Sequence, residues 1–145
     1  MSSFHFDDII QIVSVNADGK KYDIVSRIEA KTRDGVTDMV LDINSELYPV
    51  KTGEVYRMVL SQTLALDGST NHHQGQMKSL ADKFEYIMHG LLYKVAEESS
   101  KVVVYISSGG LQLKLCSAPK NMHKFMLDQR LFILLRKMET DPLPK

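Results

Sequence analysis

Ser-Leu-Ala-Asp-Lys-Phe-Glu-Tyr-Ile-Met-His-Gly-Leu-Leu-Tyr, residues 79–93, is the stretch on which the fold class turns. Leu80, Phe84, Ile87, Met88 and Leu91 recur at three- and four-residue steps, which would gather them on one face of an α-helix. Phe84, Tyr86 and Met88 also lie two apart, the period of a half-buried strand, and Gly90 would cost a helix roughly 1 kcal/mol relative to alanine. Periodicity leaves both readings open, and the flanking sequence has to decide between them.

The flanks are punctuated for strands. Asp18-Gly19, Asp34-Gly35, Gly53, Asp67-Gly68 and Gly109-Gly110 separate β-rich or apolar runs at short intervals. From Tyr22 to Lys31, residues alternate strictly, with Ile24, Ser26, Ile28 and Ala30 on one side and Val25, Arg27 and Glu29 on the other. The alternation resumes after Asp34-Gly35, with Met39, Leu41 and Ile43 sharing a face. It returns from Val55 to Leu64, where Tyr56, Met58 and Leu60 align and Val59 is the apolar exception. The strongest hairpin is Val102 to Cys116: a β-branched run, Gly109-Gly110, then Leu111, Leu113 and Leu115 at period two. Leu131 to Leu135 is short and continuously apolar, as a fully buried final strand would be. With Phe4 to Val15 and Lys83 to Val95 included, about eight strands result, and the expected class is all-β: an antiparallel barrel closed or nearly closed on itself.

Size and composition bound the function. The 145 residues fit a single domain, expected over 1–137, with a polar loop at about 67–78 and a tail over 138–145. Lys plus Arg (18) balance Asp plus Glu (18), so no bulk positive field recruits nucleic acid. No run of about 20 apolar residues and no basic-then-apolar leader is present, which predicts an intracellular protein. Cys116 is the single cysteine, so neither an internal disulfide nor a cysteine-based zinc site can form.

Candidate chemistry is sparse. Asp7-Asp8, with Asp38 and Asp42 as companions, invites a carboxylate or metal reading, but adjacent strand residues point to opposite faces, and solvated strand-end charges are the better account. His72-His73 has no companion at ligand spacing for zinc. Ser107-Ser108-Gly109-Gly110 matches neither a nucleophile elbow nor a phosphate-binding loop. Lys20, Lys21, Arg27, Lys31 and Arg33, with Tyr22 among them, mix cations and an aromatic face as a single-strand nucleic-acid site would; interleaved Asp18, Asp23, Glu29 and Asp34 cancel the charge.

The words of the sequence carry more than their periods. Phe6-Asp7-Asp8-Ile9, Arg27-Ile28-Glu29-Ala30, Leu41-Asp42-Ile43-Asn44, Tyr48-Pro49-Val50, residues 79–93, Ser108-Gly109-Gly110-Leu111 and Leu131 to Lys137 follow one another in an order that resembles the eighth subunit shared by eukaryotic nuclear RNA polymerases I, II and III. The chain departs from that pattern at Ser108, where an aromatic residue is usual, and at Leu111-Gln112-Leu113, where Leu-Leu-Met is favoured.

The resemblance implies an eight-stranded barrel around an oligonucleotide/oligosaccharide-binding (OB) motif, with the variable loop at 67–78. It implies a noncatalytic nuclear component that docks on the largest polymerase subunit, needs no cofactor and holds no metal of its own. It further implies weak, nonspecific single-stranded DNA binding near Asn16 to Met39, which falls on Lys20, Lys21, Tyr22, Arg27, Lys31 and Arg33. Together with the β punctuation it favours a lead-in turn at Ser79 to Asp82 and a strand from Lys83 to Val95. Gly90 becomes a bulge or bend, and Leu91, Tyr93 and Val95 carry the apolar face after it. Candidate subunit contacts are Tyr86, His89, Tyr93, Tyr105, Gly109, Gly110 and Leu111, because aromatic side chains anchor interfaces and a tight glycine turn permits close approach. The competing reading is an independent single-strand-binding OB module; a small hydrolase ranks third, for want of a nucleophile and base.

Overall fold

Residues 79–93 form a turn and a strand. In the computed structural model, which describes residues 4–17, 19, 24–66 and 79–139, Ser79 caps a single 3-10 turn, Leu80–Asp82. Its hydroxyl accepts from the Ala81 N–H while Asp82 accepts from the Ser79 N–H, so two otherwise orphaned donors are satisfied reciprocally. The chain then extends into the longest strand of the molecule.

Eight strands run in chain order: β1 Phe6–Val15, β2 Val25–Thr32, β3 Asp38–Asn44, β4 Val55–Ser61, β5 Tyr86–Glu98, β6 Lys101–Ser108, β7 Leu111–Ser117 and β8 Arg130–Met138. All pairings are antiparallel, and the sheet closes as β1-β2-β3-β7-β6-β5-β8-β4. Two meanders, β1-β2-β3 and β5-β6-β7, are thus stitched together by β3 against β7, and by β4 and β8 on the other side. The expected all-β barrel is the observed one. Gly109 and Gly110 both have positive φ, +56° and +93°, as the two-residue hairpin between β6 and β7 requires.

Side-chain alternation fills the barrel. Ile10, Ile12, Ile28, Met39, Leu41, Ile43, Tyr56, Met58, Leu60, Leu92, Val104, Ile106, Leu113, Leu115, Leu131, Ile133 and Leu135 are among the buried residues of one core. A second, smaller core lies on the outer surface. Because β8 sits between β4 and β5, the connection from β4 to β5 has to cross it, and Leu80 and Phe84 from that connection pack on Val59 and Leu134, with Leu64, Ile87 and Phe132 at the margin. This explains both irregularities of the sequence pattern. Val59 breaks the alternation because its side of β4 is covered, and Leu131 to Leu135 is continuously apolar because β8 is buried on both faces. The Arg57 guanidinium lies 5.3 Å from the Phe84 ring centre and is held there by paired bonds to Asp7 of 3.0 and 2.9 Å, which gives Asp7 a structural role.

Two expectations for β5 need correction. Gly90 is neither a bulge nor a bend: it pairs regularly with Leu131, and the irregularity falls at Tyr93, between Leu92 and Lys94. Nor does the apolar face pass to Leu91, Tyr93 and Val95. Met88, Gly90 and Leu92 point inward in unbroken phase, while Tyr93 and Val95 are exposed. The glycine serves close approach instead, since a Cβ built there would stand 2.6 Å from the Ser107 carbonyl oxygen and 2.9 Å from Ile106 Cγ2. The proposed polar loop at 67–78, His72-His73 and residues 140–145 lie outside the described residues.

Gly90→Ala is therefore expected to lower unfolding free energy by about 1–3 kcal/mol, because backbone rather than a flexible side chain has to move; an unchanged denaturation midpoint would refute the contact. A second expectation concerns His5, buried edge-on against Phe125 with Nε2 3.2 Å from Gln129 Oε1. Burial, aided by the nearby Lys124 charge and opposed by the Gln129 bond, holds its pKa below the usual 6.5. The unfolded chain then binds the proton more readily than the folded one, so stability is complete above about pH 6.5 and falls as pH drops toward the lowered folded value. Thermal melts of the parent and His5→Gln between pH 7.5 and 5 should show a flatter slope for the variant.

Candidate functional site

Tyr93 and Tyr105 stand together on the outer side of β5 and β6, whereas Gly109 and Gly110 form the neighbouring β6–β7 turn and Leu111 packs against the main core. Tyr93 follows the inward-facing Leu92 and so points outward by simple alternation, where its hydroxyl donates to Gln112 Oε1 at 2.5 Å; one extra residue in β5 leaves it without an opposite number on β6. The Tyr93 and Tyr105 rings stand 6.1 Å apart at 46°. Leu111 and Gly110 directly precede Gln112, and Ser108 pairs with Leu111 across the tight turn, so the glycine corner borders the two tyrosines.

Tyr105 is also flanked by cations. Lys94 Nζ lies 5.0 Å and Lys114 Nζ 5.9 Å from its ring centre, and Lys114 is 3.8 Å from Glu98 Oε1. At such exposure each contact is worth about 0.5–1 kcal/mol, enough to limit the ring's freedom before any partner arrives. The base of the patch is firmer. Asp42, a buried carboxylate on β3, receives both Arg27 Nε at 2.7 Å and Arg27 Nη2 at 3.1 Å, and takes the backbone N–H of Gln112 at 3.2 Å. A continuous path thus links Arg27, Asp42, Gln112, Tyr93 and Tyr105 across five strands.

The other two candidates lie elsewhere. Tyr86 closes one mouth of the barrel: it stacks on Tyr48 at 5.1 Å and 5°, and its hydroxyl accepts the Asn44 N–H at 2.9 Å. Tyr48 in turn donates to Glu85 and Tyr56 donates to Glu54, and burial together with these carboxylates pushes both phenols well above their ordinary range. His89 stacks on Phe132 at 4.1 Å over the second core.

The proposed nucleic-acid residues are less coherent. Lys20, Lys21 and Tyr22 lie outside the described residues, Arg27 is engaged by Asp42, and Lys31 and Arg33 are exposed near the β2–β3 turn. The aspartates that suggested a metal are divided among separate tasks: Asp7 holds Arg57, Asp8 accepts the Ile9 N–H and Asp42 holds Arg27. Among the described residues no three His, Cys, Asp or Glu side chains converge as metal ligands. Partial burial pushes the Cys116 thiol up, as suits a small strand residue rather than a nucleophile. Local sequence offered no signal for Gln112, Lys94 and Lys114 as members of the patch, because only the inter-strand register brings them to Tyr93 and Tyr105.

Known proteins resemble this chain over nearly its whole length. It is 42% identical over 139 residues to an Arabidopsis thaliana protein named DNA-directed RNA polymerases II, IV and V subunit 8B, covering 92% of this chain and 95% of that one. Identity is 37% over 142 residues with the Dictyostelium discoideum RNA polymerases I, II and III subunit rpabc3, covering 94% and 99%. It is 32% over 149 residues with the Saccharomyces cerevisiae counterpart RPABC3, covering 94% and 100%. Residues 7–137 match the family described as RNA polymerase Rpb8, which spans every strand of the barrel but the first residue of β1 and the last of β8, and the chain belongs to that family.

Proposed function

We propose that this chain is a noncatalytic structural subunit shared by the nuclear DNA-dependent RNA polymerases, and that it docks on the largest polymerase subunit through the outer face of β5, β6 and β7. The observation that carries the reading is the match over nearly the whole chain to relatives whose names assign them to RNA polymerases I, II and III, joined to a pair of outward-facing tyrosines, one exposed and one half-buried, on a strand scaffold. An interface of this kind needs shape and a few anchors rather than reactive groups. Tyrosine suits the purpose because it brings large apolar area with little rotamer entropy to lose. The nucleus is then its place of work. The name of the Arabidopsis relative, which includes polymerases IV and V, widens the set of large subunits worth testing in a plant background.

Tagged full-length protein should copurify with the largest subunit. Tyr93→Ala combined with Tyr105→Ala should reduce that recovery by about tenfold or more, with only a small drop in melting midpoint, since Tyr93 is exposed and Tyr105 half-buried outside the core. Recovery equal to the parent's would remove this face from the interface. Single-stranded DNA affinity separates the other reading. Arg27→Ala should lower stability by about 1–3 kcal/mol in denaturant titrations, because the buried Asp42 carboxylate loses its bidentate partner. Weak, salt-sensitive affinity for an oligonucleotide should stay unchanged; a selective loss of affinity in a fully stable variant would restore Arg27 to a nucleic-acid site.

A further inference from the structure

β5 has both its neighbours only where their pairings meet, at Leu91. From Tyr86 to Leu91 it pairs with β8, and from Leu91 to Glu98 it pairs with β6. β8 begins at Arg130, opposite Leu91, and the chain leading to it turns away through Asp128, whose φ of +71° makes the corner. The last bonds on that side are the Leu92 N–H to the Gln129 carbonyl and the Asp128 N–H to the Leu92 carbonyl, both 2.9 Å. Beyond them, the side of Tyr93–Glu98 that faces away from β6 has no strand against it among the described residues. Successive strand residues alternate the direction of their backbone groups, so on that side every second N–H and C=O is without a strand partner among the described residues.

The surroundings of this row distinguish it from an ordinary protected edge. Val95 is 41% exposed and Tyr93 42%, on opposite faces of the strand, since Val95 pairs with the core residue Val104 whereas Tyr93 reaches Gln112 outside, and the Met126-Leu127 knob beside Leu92 is 63% and 57% exposed. The knob is rigid: Gln129 Oε1 accepts the Met126 N–H at 2.9 Å and Gln129 Nε2 donates to the Lys124 carbonyl at 3.1 Å. Glu97, exposed on the same segment, adds a negative charge. Resting on the docking function proposed above, we infer that Tyr93–Glu98 is a strand-addition site, and that its occupant is an extended segment of the polymerase subunit this chain docks on, with an apolar residue beside Val95 and a basic one beside Glu97. The added strand continues the row that β8 vacates and runs antiparallel to β5. Asp128 and Gln129 block its near end, so it holds about six residues, roughly 20 Å. Main-chain bonding supplies affinity and the alternate side chains supply selectivity.

Hydrogen exchange of the wild-type protein, free and in affinity-purified polymerase, tests this. In the free chain the amides of Tyr93–Glu98 that face β6 should exchange slowly and those facing away rapidly. In the complex the second set should slow by about tenfold or more. Copurification with unchanged fast exchange overturns strand addition and leaves the subunit reading intact. Absence of every polymerase large subunit from the purified material overturns both.

Discussion

Closure of the barrel requires β8 to lie between β4 and β5, and most of the structure follows from that one placement. A strand inserted there separates two strands that are consecutive in the chain, so the β4–β5 connection has to cross the outer surface. Having crossed, it brings Leu80 and Phe84 onto β8 and makes a second apolar layer outside the barrel. Asp7 and Arg57 then acquire their task, which is to hold Phe84 over that layer. β8 also ends, on its N-terminal side, at Arg130, and this decides where β5 parts from β8 and continues with β6 alone.

The elements read most easily from sequence are those whose geometry is local. Gly109-Gly110 announced its hairpin because only glycine reaches both positive φ values without cost. The adjacent corner, Ser99-Ser100, has φ of +51° and +67° with no glycine at all, and nothing in the sequence marked it. Periodicity found the inward faces of β2, β3 and β7, whose outer sides are mostly polar, and that of β4 despite the covered Val59. It was least informative at β8 and in residues 79–93, where apolar side chains serve two cores and the helical and strand periods overlap. The position of the β5 bulge was misread for the same reason. A glycine can mark a bulge or a close approach, and only the 2.6 Å distance to Ser107 decides for the latter.

Function was legible through the order of short sequence words rather than through chemistry. Aromatic residues could be nominated as contacts, but their grouping depends on register. Strand alternation aims Tyr93 at Gln112, β6 brings Tyr105 beside it, and β3 lends the buried Asp42 that fixes the Gln112 backbone. Tyr86 looks the same in sequence and stands instead at the barrel mouth with Tyr48 and Tyr56. The division is physical: a tyrosine on the inward phase of a strand seals the core, whereas one on the outward phase is available outside.

The two-sided burial of β8 also bears on how the molecule is made. During synthesis every other strand emerges first, yet β4 and β5 stay unpaired along facing edges until residues 130–138 leave the ribosome. Until then Val59, Leu80 and Phe84 lack Leu134, the β8 member of their cluster. A nascent chain at that stage is an open sheet with two sticky margins, the form in which strand proteins aggregate. The final strand therefore acts as the latch of the barrel, and the interval before it arrives is when the chain most needs a chaperone.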